Sequence, residues 1–182
     1  MLDKVVIVGV GLIGGSFALG LKRAGAVREV VGIGRHPEAT ARALELGIVD
    51  SVSTSYEDAL RSADLVLLAA PVAQTGPILA ALLPHLEQGT IVTDAGSTKC
   101  DVVAAAREAL RDRVHQFVPG HPIAGSESNG PDAALAGLYD GKKVVITALP
   151  ENAPQDIERV AAAWRACGAI IHTLSPEDHD RV

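Results

Sequence analysis

Runs of apolar residues alternate with stretches of helical periodicity along most of this chain. The first run, Lys4–Val8, is β-branched after its lysine and leads directly into a glycine-rich turn. A continuous apolar run of this kind is typical of a strand that is buried on both faces of a sheet. Comparable runs predict further strands at residues 28–34, 51–53, 65–70, 90–94, 116–119, 143–147 and 169–172. Because helical segments separate these strands, we predict an α/β fold with a doubly wound, mostly parallel sheet and helices on both faces.

Helical segments fill the spaces between the predicted strands. Gly25 caps the end of the first of them, and Gly47 stops the second. Ser97 precedes the helix predicted at 98–111 and is a candidate N-cap for it. The other helices are predicted at residues 17–24, 37–46, 56–61, 75–86 and 152–167.

Three glycines with the spacing G-x-G-x-x-G follow the first strand and open the first helix. Gly9 permits a tight turn, Gly11 lets backbone amides approach a pyrophosphate, and Gly14 lets the helix pack closely on the strand. The helix N-terminus adds unpaired amide groups and a partial positive charge. The pattern therefore predicts a Rossmann-type unit that binds a nicotinamide dinucleotide. Its predicted contacts are Gly9, Gly11, Leu12, Ile13 and Gly14.

The residues after the second predicted strand bear on the choice between NAD and NADP. In an NAD-binding unit, an acidic residue about 20 positions after the glycines binds the ribose 2′-hydroxyl. Counting from Gly14 reaches Gly34, and Arg35 and His36 follow directly. An arginine at this place can pair with a 2′-phosphate. We therefore expect NADP to be accepted; the alternative is that Arg35 stacks on adenine or is solvated, and that NAD is used.

Composition narrows the class of partner. The chain has 182 residues and a formal net charge of −6, which argues against a nucleic-acid partner. No apolar stretch reaches membrane-spanning length. Cys100 and Cys167 are far apart in sequence, and we interpret them as reduced structural thiols of a cytoplasmic protein. The expected partner is a small-molecule substrate.

One loop at the carboxyl edge of the predicted sheet is suited to hold a nicotinamide. Ligands of open α/β sheets lie outside the carboxyl ends of the strands, near the switch in strand order. Ala70, Pro71 and Val72 follow the fourth predicted strand, and their rigid backbone and small side chains could support one face of the ring. Pro71 could equally be a simple strand terminator.

Polar residues follow the fifth and sixth predicted strands. His121 lies between a glycine and a proline just past a strand end, and its ordinary pKa makes it a candidate base near neutral pH. Ser97 could orient the imidazole or a substrate hydroxyl, while Ser126 and Glu127 could line a substrate pocket. No group of His, Cys or acidic side chains has metal-ligand spacing. Four other histidines are expected to be structural or solvated, namely His36, His85, His115 and His172.

Four segments of the chain resemble, in order, the prephenate/arogenate dehydrogenase family of tyrosine biosynthesis. The glycine motif is shared with many dehydrogenases, but the pairing of Asp-x-x-Ser-x-Lys with His-Pro-Ile-Ala-Gly-Ser-Glu is far more specific. The resemblance implies NAD(P)-dependent oxidative decarboxylation of prephenate to 4-hydroxyphenylpyruvate, or of arogenate to tyrosine. It further implies that His121 accepts the proton of the ring hydroxyl, which Ser97 holds in place. The four segments are Gly9–Ser16, Asp94–Lys99, Gly120–Glu127 and Ser175–Asp180.

The resemblance also implies a two-domain protein. Residues 1–172 would form the NAD(P)-binding Rossmann domain, and residues 173–182 would begin an all-helical dimerisation domain, with Ser175 as the cap of its first helix. Because that helix is cut short, we expect the chain to be a fragment of a homodimeric protein, and the activity of the fragment alone stays open. The resemblance places His179 in the substrate cleft.

Three alternatives stay open at this point. The chain could be another Rossmann dehydrogenase that acts on a β-hydroxyacid or an imine, although the segment around His121 argues against it. It could bind NAD(P) as a non-catalytic sensing or interaction module, or it could have lost the cofactor and be structural. The sequence leaves open prephenate against arogenate, inhibition by tyrosine, and the oligomeric state.

Overall fold

A parallel sheet of six strands forms the centre of the molecule, which a computed structural model describes over residues 1–182. The strands lie in the order β3-β2-β1-β4-β5-β6, so the direction of strand addition reverses between β1 and β4. This arrangement confirms the predicted doubly wound sheet. The strands are β1 (Leu2–Val8), β2 (Val27–Ile33), β3 (Ser51–Val52), β4 (Leu65–Leu68), β5 (Ile91–Asp94) and β6 (Phe117–Val118).

Helices occur at all the predicted places, with shifted ends. The segment predicted at 75–86 is helical only to Leu82, because Pro84 lacks the amide that a longer α-helix needs, and a 3₁₀ turn follows at Leu83–His85. None of the helices combines the length and apolar composition needed to cross a membrane. The α-helices are α1 (Leu12–Arg23), α2 (Pro37–Glu45), α3 (Tyr56–Leu60), α4 (Thr75–Leu82), α5 (Cys100–Leu110), α6 (Pro154–Ala166) and α7 (Pro176–Arg181).

Both faces of the main sheet are buried under helices. Successive side chains of β1 point to opposite faces, so that Val5 and Ile7 enter one apolar cluster and Val6 and Val8 enter the other. The first cluster includes side chains of α1 and α6, and the second includes side chains of α3, α4 and α5. The continuous apolar runs of the sequence have this two-sided burial as their physical cause.

A second, three-stranded sheet was not predicted. The strands β8 (Lys143–Ile146) and β9 (Ile170–Thr173) pair in parallel with each other rather than joining the main sheet. β8 also pairs antiparallel with β7 (Gly120–Pro122), a segment predicted as loop. Pro119 has no amide to continue the parallel ladder of β6, and its carbonyl accepts the Thr147 amide at 3.0 Å instead. The chain thereby turns out of the first sheet and places residue 121 on a strand.

Candidate active site

A cleft of about 390 Å³ opens at the point where the strand order of the main sheet reverses. Of the predicted dinucleotide contacts, Gly9, Gly11, Arg35, Ala70 and Pro71 line this cleft. The other four predicted contacts lie outside its lining, in α1 or in the turn after β4, and are Leu12, Ile13, Gly14 and Val72.

The two leading glycines shape the floor of this first cleft. Gly9 has a φ of +98°, and a Cβ at this position would lie 2.7 Å from the carbonyl oxygen of Ala69. A Cβ on Gly11 would meet no atom within 4 Å, so the space above its backbone is open. Gly14 sits where a Cβ would collide with the carbonyl oxygen of Gly9 and with Ile7, which is the close helix–strand contact expected of the third glycine.

The residues present fit a dinucleotide. The N-terminus of α1 has no side-chain cap and no acidic residue in its first turn, so its amides are available to an anion. The open space above Gly11 lies at the same helix end. Together these features provide backbone amides for a pyrophosphate and room for it to approach.

Charge in the first cleft is positive at the end of β2. Gly34, Arg35 and His36 follow this strand, are exposed, and line the cleft. No acidic residue contributes to the lining. His36, which was expected to be structural or solvated, is exposed and lines the cleft beside Arg35.

A second cleft of about 630 Å³ brings Ser97, His121 and His179 together. Ser126 and Glu127 are exposed on the loop that follows β7 and do not line it. The remaining lining residues include Lys143 and His172, neither of which was assigned to the site from the sequence. His172 was expected to be structural or solvated; it is exposed, lies on β9 of the second sheet and lines this cleft.

A buried ion pair holds the backbone next to His121. Asp94 ends β5, and its Oδ1 accepts the Gly120 amide at 3.0 Å. Lys99 pairs with Asp94 Oδ2 and donates to the Gly120 carbonyl at 2.7 Å. The Lys99 side chain is 0% exposed and that of Asp94 is 3% exposed. Both polar groups of the residue before His121 are therefore bound by one ion pair.

The imidazole of His121 is bound from the other side by α7. His121 Nδ1 lies 2.9 Å from His179 Nε2, and His179 Nδ1 lies 2.8 Å from Asp180 Oδ1. The two imidazole rings meet edge to face, with centroids 5.0 Å apart. Because Nδ1 of His121 is engaged, Nε2 is the ring nitrogen left for another partner.

The prediction that Ser97 caps the helix after β5 was wrong. Helix α5 begins only at Cys100. Its N-terminus is capped by Asp180, a residue distant in sequence, which accepts the Lys99 and Cys100 amides at 2.8 Å each. A carboxylate at a helix N-terminus is favoured by the helix dipole. Ser97 is exposed and faces the second cleft.

Electrostatics keep the imidazole of His121 neutral. Burial, followed by the neighbouring His179 and Lys99, lowers its pKa to about 4, and Asp180 opposes this only in part. Burial alone would raise the pKa of Asp180, but the Cys100 and Lys99 amides and His179 outweigh it and hold that pKa well below its usual range. At neutral pH the site therefore combines an uncharged imidazole with an ionised carboxylate.

Asp94, Lys99 and Asp180 belong to the sequence motifs, but no role in the site was predicted for them. A signal for the first two was present, because Asp94 ends an apolar strand and a carboxylate buried there needs a cation or several donors. Asp180 had no such signal, since the two backbone amides that it binds lie 80 and 81 positions away.

Comparisons with known proteins agree with this geometry. A family model described as the nucleotide-binding domain of prephenate dehydrogenase matches residues 17–173. The cyclohexadienyl dehydrogenase of Zymomonas mobilis is 39% identical over 183 residues, covering 98% of this chain and 60% of that protein. The prephenate dehydrogenase of Bacillus subtilis is 36% identical over 183 residues, covering 100% of this chain and 49% of that protein.

Two solved structures extend the likeness to the fold. A prephenate dehydrogenase from Aquifex aeolicus, in complex with hydroxyphenyl propionate and NAD⁺, superposes with a TM-score of 0.91 at 38% identity, over 99% of this chain and 62% of that one. The arogenate dehydrogenase of Synechocystis gives a TM-score of 0.89 at 30% identity, over 98% of this chain and 62% of that one.

The chain spans between about half and three-fifths of the length of these relatives. The matched region contains the second sheet and the segment that carries His121. The family resemblance drawn from four short segments is thus confirmed by a match that runs across nearly the whole chain. This chain belongs to the prephenate dehydrogenase family, in which it corresponds to the nucleotide-binding domain.

Proposed function

We propose that this chain binds NAD or NADP and forms the nucleotide-binding part of an enzyme that oxidatively decarboxylates prephenate or arogenate. The observation that carries the proposal is the placement of His121, which is neutral, half-buried and in the same cleft as Ser97, with only Nε2 left for a substrate. The dehydrogenase names of the relatives support the substrate class.

We further propose the division of labour between domains that the family resemblance implied. Residues 1–172 act as the dinucleotide-binding domain, and residues 173–182 begin a helical domain that completes the substrate site and makes the homodimer. The greater length of the relatives supports this division. Ser175 Oγ accepts the Asp178 amide at 3.0 Å, as expected of the cap that opens a helix. The complete enzyme consists of this chain together with that second domain.

The first cleft positions a dinucleotide, and the second holds the ring hydroxyl of the substrate. When bound, the oxidised nicotinamide accepts the hydride that leaves the hydroxyl-bearing ring carbon. Ala70 and Pro71 line the first cleft, and their rigid backbone would support one face of the nicotinamide. Ser97 orients the hydroxyl, and His121 Nε2 accepts its proton as the carbon–oxygen double bond develops.

The second half of the reaction returns this proton. The bond between the ring and its carboxylate breaks, carbon dioxide leaves, and the electron pair of that bond completes the aromatic ring. The ring oxygen then takes the proton back from His121, so no net proton is released at this step. Aromatisation provides the driving force, which leaves the protein the tasks of positioning and of holding one proton.

Turnover of prephenate and of arogenate by the complete enzyme, followed as reduction of the dinucleotide, tests the proposed function. We expect reduction with at least one of the two substrates, and the preferred one identifies the substrate. Binding of the dinucleotide with no turnover of either substrate would replace the enzyme by a nucleotide-binding module.

Arg35 is expected to set the cofactor preference. Because the first cleft contains no carboxylate and has Arg35 at the end of β2, we expect NADP to bind at least as tightly as NAD. Arg35→Ala should weaken NADP binding about 10- to 100-fold, the loss expected of hydrogen bonds to a charged group, and change NAD binding little. Fluorescence titration with NADH and NADPH measures both affinities.

Arg28→Ala is the matched control, since Arg28 lies near the opposite end of β2 and its only ion pair, with Asp3, is exposed. This variant should leave both affinities unchanged. An Arg35→Ala variant with the same ratio of affinities as the unmodified chain would remove Arg35 from the recognition of the 2′-phosphate.

Gly9→Ala is expected to damage both the first cleft and the fold. The new Cβ would approach the Ala69 carbonyl oxygen to 2.7 Å at a φ of +98°. We expect a loss of about 1–3 kcal/mol in the free energy of unfolding and at least a tenfold weaker affinity for the dinucleotide. Gly47→Ala is the control that separates backbone strain from the steric clash of the new Cβ. Gly47 has a φ of +71°, but a Cβ there would meet no atom within 4 Å. Equal affinity of the two variants for the dinucleotide would argue against the proposed role of Gly9 in the first cleft.

A further inference from the structure

Three hydrogen-bonded side chains, those of Asp180, His179 and His121, form a line that starts at the N-terminus of α5. Asp180 Oδ1 lies 2.8 Å from His179 Nδ1, and His179 Nε2 lies 2.9 Å from His121 Nδ1. The His179 side chain is only 8% exposed, and it lines the second cleft next to His121. The resemblance placed His179 in the substrate cleft, and the structure shows both of its ring nitrogens within hydrogen-bond distance of protein atoms.

The direction of each hydrogen bond follows from the charge at one end of the line. An ionised carboxylate only accepts hydrogen bonds, so His179 must donate from Nδ1 to Asp180. When His179 is uncharged, its lone pair lies on Nε2, and His121 then donates to it from Nδ1. A neutral His121 is left with its lone pair on Nε2, the nitrogen that is needed as a proton acceptor.

Asp180 is well suited to hold the start of this line. Its two carboxylate oxygens also accept the amides of Lys99 and Cys100 at 2.8 Å, which fixes the carboxylate against the N-terminus of α5. Lys99 in turn binds the carbonyl of Gly120, the residue before His121. The N-terminal end of α5 therefore holds both the backbone before His121, through Lys99, and the ring of His121, through Asp180 and His179.

We propose that His179 is a positioning residue, held by Asp180, that fixes His121 in the tautomer whose lone pair is on Nε2. His179 then contributes to turnover without touching the substrate. The effect on turnover rests on the proposed function, but the tautomer itself does not, and the two are measured separately.

Nitrogen NMR of this chain, labelled with ¹⁵N-histidine, measures the tautomer directly, because protonated and lone-pair ring nitrogens resonate in separate regions. Signals missing from His121→Asn assign the His121 ring. We expect His121 to be protonated at Nδ1 and unprotonated at Nε2 at neutral pH. A proton on Nε2 of His121 would overturn the proposal, because His179 would then be the donor.

A pair of variants tests whether His179 causes this state. His179→Leu removes the acceptor, and we expect His121 to become a mixture of tautomers. His179→Gln offers an amide oxygen to His121 Nδ1, and we expect it to restore the Nδ1-protonated form. His115→Gln, in the 3₁₀ turn after α5, is the control and should change nothing. An unchanged His121 tautomer in His179→Leu would overturn the proposal.

Kinetics of the complete enzyme separate positioning from substrate binding. With His179→Leu we expect kcat to fall about 10- to 100-fold, as for other losses of an orienting partner, with KM nearly unchanged and partial rescue by Gln. A raised KM with an unchanged kcat would make His179 a substrate ligand and overturn the proposal. If the unmodified enzyme turns over neither substrate, the proposed function fails, and the NMR result still decides the tautomer.

Discussion

His121→Asn is expected to reduce turnover about 10²- to 10⁴-fold while leaving dinucleotide binding intact. Asparagine can hydrogen-bond a hydroxyl but cannot take its proton, and general-base catalysis contributes a factor of this size. The pKa of about 4 means that the imidazole of His121 is in its accepting form throughout the neutral range. His121 does not line the first cleft, so the affinity for NAD or NADP should not change.

The measurement is kcat of the complete enzyme with its preferred substrate, beside a fluorescence titration of the dinucleotide. His115→Asn provides a control for replacing an imidazole elsewhere, since His115 contacts only the Asp112 carbonyl through its ring. That variant should keep normal turnover. Near-normal turnover by His121→Asn would show that His121 is not the proton acceptor.

Lys99→Met is expected to have the largest effect on stability. The substitution keeps much of the side-chain volume but leaves the carboxylate of Asp94 buried with no cation beside it. Breaking a buried ion pair by removing one partner typically costs about 3–5 kcal/mol. The hydrogen bond to the Gly120 carbonyl is lost as well, so the backbone before His121 is released from one of its two contacts.

Urea unfolding of the isolated chain measures this loss. Arg165→Met is the matched control, since its ion pair with Glu158 at 2.7 Å is on the surface and such pairs contribute about 0–1 kcal/mol. Adding Asp94→Asn to Lys99→Met should recover part of the stability, because the remaining group is then uncharged. A loss below about 1 kcal/mol in Lys99→Met would mean that the ion pair does not hold this part of the fold.

The main sheet was predictable because its determinants are local. β1 is an apolar run that must be covered on both faces, and the glycines after it have spacing and neighbours that suit only a strand–turn–helix unit. The second sheet was missed because β7 has three residues and contains a proline, a composition that is typical of a loop. Its pairing with β8 is a tertiary contact that no local pattern encodes.

The candidate site likewise has residues that could be predicted from local sequence and others that depend on tertiary contacts. His121 and Ser97 were found because each follows a strand end, a position that topology alone brings to one edge of the sheet. The supports of His121 were not found, because Lys99 and Asp180 act across 21 and 81 positions of sequence. The assignment of His179 to the substrate came from likeness, whereas its two ring contacts become visible only in three dimensions.

The long-range cap of α5 has a consequence for the order in which the molecule assembles during synthesis. The Cys100 amide is made 80 residues before the Asp180 carboxylate that receives it. At about 5–20 residues per second, a ribosome needs roughly 4–16 s to add that stretch. The residues of the main sheet and its helices are therefore synthesised before Asp180 and before the contact of His179 with His121 can form. The residues of the nucleotide cleft are thus available before His121 has its full set of contacts.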